Sequence, residues 1–252
     1  MTTPSVKDAA APTTIDLASR AASEPAKSQW PLVLTLWLLS AIPGIPAALI
    51  IGLLLLQPTE SMLFVKLVNP LYLSSPWAVL LHGGSGVVFF LTMPWQFSPK
   101  LRLRYPVWHR LSGRLVLFSA YLMAISGVWM HLYLTPDELG VRFIGLLVIT
   151  LAMVGAFSMA LMAILKRRIE QHQRWMYRSV AITLAVVTPN FIEVAAFLTV
   201  GQFNYFKPLL ATFFHDYGRL LGLVLNLLIA NYLLRGQRAA PARKSGGAAI
   251  AQ

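Results

Sequence analysis

Three histidines in or at the edge of apolar runs are the residues of this chain best suited to chemistry. His82 lies inside "LHGGSG", His109 follows "YPVW", and His172 precedes "QRWMYRS". A neutral imidazole can ligate haem iron or another metal, and a nearby arginine can pair with a haem propionate. This pattern predicts a redox protein that binds a b-type haem or a metal and exchanges electrons with a quinone or a redox partner. The arginines that follow the two edge histidines are Arg110, Arg114, Arg174 and Arg178.

Glu193 is the acidic residue that lies well inside an apolar run, and it suggests a different chemistry. An ionisable group in hydrocarbon costs at least a few kcal/mol, so it should face the bundle interior or water and have a partner. Counted along its segment, His82 lies at a similar depth. The two could relay protons or, with His131, hold a metal ion, although the edge position of His131 is more typical of a surface residue. The alternative prediction is a proton-coupled transporter or a lipid-handling membrane protein.

These residues are carried by apolar segments long enough to cross a bilayer. The chain has 252 residues, of which 57% are hydrophobic and 12% charged, against about 25% charged in soluble domains. A transmembrane helix needs about 20 apolar residues. The sequence therefore predicts an all-α polytopic membrane bundle of six transmembrane helices over residues 30–234. The predicted spans lie near 30–57, 76–97, 108–133, 142–166, 175–199 and 214–234.

The basic residues indicate how the bundle is oriented. With six spans, all of the 21 lysines and arginines fall on one side except Lys66, Arg142, Lys207 and Arg219. The positive-inside rule then places both termini in the cytoplasm and the protein in the cytoplasmic (inner) membrane. The net charge of +12 is explained by this asymmetry, and the basic residues are not gathered on one soluble face as in nucleic-acid readers. Residues 1–29 and 235–252 are predicted to be disordered tails.

The third predicted span carries histidines at both ends of one face. Small residues occupy this face between them, which is typical of close helix packing but also leaves room for a flat cofactor. His109 and His172 both fall at the cytoplasmic edge, where they could be ligands or simply anchors in the headgroup region. The outer side is expected to hold a polar cluster. The residues of the small-residue face, all within about 60° on a helical wheel, are His109, Gly113, Ala120, Ala124, Gly127 and His131.

Several classes of protein are disfavoured. The chain has no cysteine, which excludes disulfides, cysteine-ligated iron–sulfur clusters and thiolate zinc sites. No nucleophile elbow, phosphate-binding loop or zinc-protease motif occurs. A scaffold or assembly factor with no ligand of its own stays open as a third interpretation, and the residues do not determine an oligomeric state.

Three motifs resemble those of a family of bacterial and fungal membrane proteins, domain-of-unknown-function family 2306. They are "HGGSG" with a following "QF", then "YPxxHRxxGR", then "HxxWMxRS", in the family's order over roughly 76–195. The resemblance implies a multi-pass membrane protein and supplies no established activity. The residues carried over are His82, Gln96, Phe97, His109, Arg110, Gly113, Arg114, His172, Trp175, Met176 and Arg178.

The chain departs from the family pattern at two positions, and from two-haem cytochromes at a third. Met93 stands where the family usually has glycine, and Asn190 stands near the place of a frequent arginine. Helices that bind two haems commonly carry a second histidine about four turns from the first. Gln96 occupies that place after His82. A single haem, or a histidine–carboxylate metal site, therefore fits the residues better than two haems.

Overall fold

The protein is a bundle of long helices joined by short turns. The computed structural model describes residues 30–56, 68–200 and 203–246, with side chains described up to residue 235. Within these ranges the chain forms α-helices and 3-10 turns and no strand. The helices are α1 (Trp30–Leu56), α2 (Pro70–Ser74), α3 (Pro76–Thr92), α4 (Pro99–Arg104), α5 (Pro106–Leu134), α6 (Val141–Leu165), α7 (Ile169–Thr183), α8 (Thr188–Thr199) and α9 (Phe206–Gly246).

The predicted membrane bundle is confirmed by the lengths of these helices. Five helical segments are long and apolar enough to cross a bilayer, namely α1, α3 with its following 3-10 turn, α5, α6 and Phe206–Arg235 of α9. The pair formed by α7 and α8 gives a sixth span if it is counted as one bent crossing. Helix α9 continues past the predicted end of the last span to Gly246. The predicted tail at 1–29 lies outside the described residues.

Neighbouring spans pack in sequence order around an apolar core. Helix α3 packs against α1 on one side and α5 on the other, α6 packs against α5 and α7, and α9 closes against α6, α7 and α8. The centre is filled by Phe89, Met93, Val116 and Phe157, all fully buried, with the Phe89 and Phe157 rings edge to face at 5.9 Å. Large apolar side chains also point outwards from the spans, as expected of a surface that faces lipid rather than water.

The two ends of the bundle differ in charge. We call the end formed by residues 94–109, 165–174 and 235 the basic end, and the end formed by residues 70–76 and 134–141 the opposite end. Trp37 of α1 meets Trp95 at the basic end with ring centres 5.6 Å apart. Asn231 of α9 reaches the same end, where it bonds to Arg178. The first and last described spans therefore begin and finish on the same side.

The fifth predicted span is broken rather than continuous. Helix α7 ends at Thr183, a 3-10 turn covers Leu184–Val186, and α8 starts at Thr188 with a bend of 45°. Pro189 follows at once, and a proline lacks the N–H that a continuous helix needs. Asn226 of α9 covers the break, since its Nδ2 donates to the Ala181 carbonyl at 3.0 Å and its Oδ1 accepts from Thr188 at 2.8 Å.

Gly222 of α9 lets the two elements approach closely at this break. A Cβ at residue 222 would lie 2.1 Å from the Ala185 carbonyl oxygen and 2.9 Å from Pro189 Cδ. Broken helices often form substrate sites in transporters. Here the Ala181 carbonyl and the Thr188 hydroxyl are bonded to Asn226, and Gly222 packs against the turn, so the break is filled with protein and serves as a packing contact.

Candidate functional site

His82 is held by the backbone of the neighbouring span. Its Nδ1 lies 3.0 Å from the carbonyl oxygen of Met123 in α5. A carbonyl oxygen only accepts hydrogen bonds, so Nδ1 carries the proton and donates it. In the neutral ring the lone pair is then on Nε2, which makes no hydrogen bond with any described residue. This is the arrangement commonly found for imidazoles that ligate metals, where the second nitrogen is fixed by a carbonyl.

The space for the His82 ring is provided by a glycine. A Cβ at Gly127 would lie 3.0 Å from His82 Cε1 and 3.2 Å from His82 Nδ1. The other end of the same helix pair repeats this arrangement, because Gln96 Nε2 donates to Ser112 Oγ at 2.6 Å and Gly113 faces Gln96 Oε1. The small-residue face of α5 is therefore in contact with α3, as the close-packing interpretation predicted.

Gln96 thus has a structural partner at the place where a two-haem helix would have histidine. The Ser-Gly pairs at 112–113 and 126–127 are the sequence signal that could have revealed this contact, since serine and glycine are typical of close helix pairs in membranes. The predicted small-residue face of α5 contains the two glycines but not these serines.

His172 is held in the same way as His82, at the basic end. Its Nδ1 lies 2.9 Å from the Ala160 carbonyl oxygen in α6. Nδ1 is again the donor, and Nε2 has no hydrogen-bond partner among the residues for which the structure gives side chains. Two of the three predicted histidine ligands therefore present Nε2 while a helix carbonyl fixes their ring orientation.

His109 lies at the same end of the bundle as His172, in the first turn of α5. Arg102 and Arg110 are also at this end. His109 Nδ1 is buried and has no hydrogen-bond partner in the described part of the chain. The predicted pair of histidines therefore lies at the same end of the bundle, on α5 and α7.

His82 does not belong to this pair. It contacts α5 at Met123 and Gly127, whereas His109 lies in the first turn of α5. At a rise of about 1.5 Å per residue, Met123 is about 21 Å from His109 along the helix axis. The structure therefore places His82 apart from the other two histidines predicted to hold the cofactor with it.

The predicted arginines fall into two groups. Arg110 and Arg114 are exposed and make no hydrogen bond or ion pair with described residues. Arg174 forms an ion pair with Glu170, and Arg178 donates from Nε to Asn231 Oδ1 at 3.1 Å. Arg174 and Arg178 line a cleft with α9, whereas His172 faces α6. The predicted grouping of these two arginines with His172 around one cofactor is not what the structure shows.

The opposite end holds a polar network that includes His131. This residue is only 8% exposed, so its assignment to the surface was wrong. Its Nε2 donates to the Glu138 carbonyl at 3.1 Å, its Nδ1 lies 3.2 Å from Thr135 Oγ1, and its ring stacks on Phe143. Both ring nitrogens of His131 thus have polar partners at this end of the bundle.

The network continues to Arg142, which sequence reasoning had not singled out. Arg142 donates to Glu138 Oε2 at 2.6 Å and to His215 Nε2 at 2.8 Å. His215 Nδ1 then donates to Asp216 at 3.0 Å. A polar cluster was expected at the end away from most of the basic residues, and this network lies at that end, but its members are joined without His82 or Glu193.

Glu193 is separated from the residues predicted to join it. It lies half-buried on α8, which packs against α9, whereas His82 lies between α3 and α5. Glu193 makes no hydrogen bond or ion pair with any residue in the described ranges. Over those same ranges no three His, Asp or Glu side chains are placed to hold a metal ion. The described residues therefore do not bring His82, Glu193 and His131 together as the predicted metal site requires.

Comparison with known proteins gives one positive match. A family model described as a predicted membrane protein, DUF2306, matches residues 79–234. The chain belongs to the DUF2306 family. The matched region runs from α3 into the last span and contains all three histidines discussed above. No curated protein and no solved structure matches the chain.

Membership of the DUF2306 family confirms the resemblance inferred from the three motifs. In the structure those motifs lie at the α3–α5 and α6–α7 contacts and at the basic end. Two of them provide the histidines whose Nδ1 atoms are fixed by helix carbonyls, and the third provides His109. The family is one of membrane proteins of unknown function, so the chemistry has to be inferred from these contacts.

Proposed function

We propose that this DUF2306 protein is a membrane redox protein in which His109 and His172 ligate one b-type haem at the basic end. The observation that carries the proposal is the bond from His172 Nδ1 to the Ala160 carbonyl at 2.9 Å. It fixes the ring and leaves the Nε2 lone pair for a metal, which is the usual role of a second partner to a ligating imidazole.

The neighbouring histidine supports the same site. His109 comes from a different span, and its buried Nδ1 has no partner among the described residues. A buried polar atom without a partner costs free energy. Two imidazoles, one from α5 and one from α7, would hold a b-type haem, which needs fewer protein ligands than a bare metal ion. Bound haem would supply one-electron transfer, with a membrane quinone as the proposed partner.

Charge at the basic end is compatible with this ligand. Arg102 and Arg110 act electrostatically on His109, and guanidinium groups pair well with carboxylates such as propionates. We place this end on the cytoplasmic side of the inner membrane, with both termini there, because the positive-inside rule favours it. The transport alternative has less support, since Glu193 has no described partner and the helix break is filled.

The test is the absorption spectrum of the purified full-length protein, oxidised and then reduced with dithionite. We expect a Soret band that shifts on reduction, and we expect His172→Ala or His109→Ala to remove or strongly diminish it. His215→Gln is the matched control, since this exposed histidine lies at the opposite end. Elution position and melting temperature establish that each variant is folded.

A wild-type protein produced with adequate haem supply but lacking a Soret band would overturn the proposal. The same conclusion follows if the band is present and survives both histidine substitutions in folded protein, because the chromophore would then be bound elsewhere.

A further inference from the structure

A cleft at the basic end has a lining that does not depend on the histidine site. It lies between the first turns of α7 and the last turns of the membrane-spanning part of α9, and its volume is about 280 Å³. The lining residues are Arg174, Arg178, Asn231, Leu234 and Arg235. Three arginines therefore line one small space at the end of two spans.

The central arginine of the cleft is held in place. Arg178 lies over the Trp175 ring with its guanidinium carbon 5.0 Å from the ring centre, and its Nε donates to Asn231 Oδ1. Stacking on an aromatic face and a bond at Nε leave the two terminal amino groups free to donate. These donors form no hydrogen bond with any residue that the structure describes. A guanidinium group that is held in place, and whose two terminal amino groups have no partner among the described residues, is well suited to bind an oxyanion.

The other two arginines leave the cleft with excess positive charge. Arg174 is paired with Glu170, and Glu170 is itself mostly exposed at the rim. Arg235 is exposed and has no ion-pair partner in the described residues. One carboxylate therefore balances three guanidinium groups. Repulsion among them is relieved when an anion binds between them.

We infer that this cleft is a binding site for a phosphate group. Phosphate offers several acceptor oxygens in the geometry that arginine forks recognise. The cleft lies where the apolar part of α9 ends, and the buried Leu234 adds an apolar patch beside the arginines. The phosphate can belong to an anionic lipid headgroup or to a soluble phosphate, and the two sources are distinguished by experiment.

The first arm of the test uses the full-length protein in detergent and native mass spectrometry with added phosphatidylglycerol. The variants are Arg178→Gln and the double variant Arg174→Gln with Arg235→Gln. The double variant leaves the Arg178–Asn231 bond intact, so it tests the site even if Arg178→Gln impairs folding. Arg104→Gln is the control, because Arg104 is exposed at the same end and outside the cleft.

We expect the cleft variants to weaken lipid binding about tenfold, the loss expected for a charge-assisted hydrogen bond, while the control binds as the wild type does. The second arm repeats the measurement with inorganic phosphate by calorimetry. Phosphate binding that is lost in the same variants, without lipid binding, supports the site and identifies a soluble source.

If neither probe binds, or if both bind equally to wild type and cleft variants, the inference is overturned. The histidine site is not tested by this experiment, since the cleft variants leave His109 and His172 in place.

Discussion

His82 Nδ1 donates a hydrogen bond to the Met123 carbonyl oxygen at 3.0 Å and thereby joins α3 to α5 inside the membrane. The acceptor is a helix carbonyl, so the bond is added without breaking the helix. Gly127 has no side chain to block the His82 ring, so the imidazole can reach the backbone of α5. The contact is therefore made by a side chain on one helix and by the lack of a side chain on the other.

Replacing His82 tests the value of this bond. His82→Leu removes the donor, and we expect it to lower the free energy of unfolding by about 1 kcal/mol, the order found for hydrogen bonds between membrane helices. His82→Asn is the matched control, because its amide nitrogen can take the place of Nδ1. Melting followed by tryptophan fluorescence measures both. Equal melting of the Leu and Asn variants would show that the bond contributes nothing to stability.

The two glycines of α5 should respond differently to an added methyl group. In Gly127→Ala the new Cβ would lie 3.0 Å from the ring of His82, which is rigid and bonded. In Gly113→Ala it would lie 3.1 Å from Gln96 Oε1, the end of a flexible side chain. We expect Gly127→Ala to cost about 1–3 kcal/mol and Gly113→Ala clearly less. Equal decreases in melting temperature for Gly127→Ala and Gly113→Ala would contradict this prediction.

Gly222→Ala should be the most damaging of the glycine substitutions. Its Cβ would lie 2.1 Å from a backbone oxygen at the break between α7 and α8, and backbone cannot turn aside as a side chain can. We expect a loss of more than about 1–3 kcal/mol or failure to assemble. Gly155→Ala is the control, since nothing lies within 4 Å of a Cβ there. If Gly222→Ala and Gly155→Ala had the same melting temperature, the close contact at Gly222 would be contradicted.

Arg142 connects several elements at the opposite end. Arg142→Gln removes its bonds to Glu138 and His215. Because these groups are partly exposed, we expect the loss to be about 1 kcal/mol or less. The difference from wild type should narrow as salt concentration rises, since salt screens exposed charges. Chemical denaturation at two ionic strengths measures this, and Arg104→Gln controls for the loss of one positive charge.

The spans could be predicted from the sequence because burial in lipid demands long apolar helices, and hydropathy measures that directly. The break at Leu184–Val186 could not, since hydropathy is the same for a straight and a bent helix. Pro189 was a local signal, but prolines inside α1 at residues 43 and 46 leave that helix continuous. At Pro189 the helix is broken, and Gly222 and Asn226 of α9 pack against the break. These two residues lie on another helix, so no local sequence pattern contains them.

The site was predicted in part for a related reason. Position along a span gives the depth of a residue, and depth alone was enough to place His109 and His172 at the same end of the bundle. It gives no information on which side of the bundle a residue lies, so it also paired His82 with Glu193, which are on different helix contacts. The partners of His82 and His172 are backbone carbonyls, which every residue possesses and no sequence pattern marks.

The contacts that His82 and Gln96 make with the two glycines of α5 are equally spaced, since His82 and Gln96 are as far apart in sequence as Gly113 and Gly127. One residue inserted between His82 and Gln96 would rotate all following residues of the helix by about 100°, so only one of the two contacts could form. Insertions and deletions should therefore be tolerated in the connections before and after residues 82–96 but not within them. The fixed length of this stretch sets the register between the two helices of the hairpin.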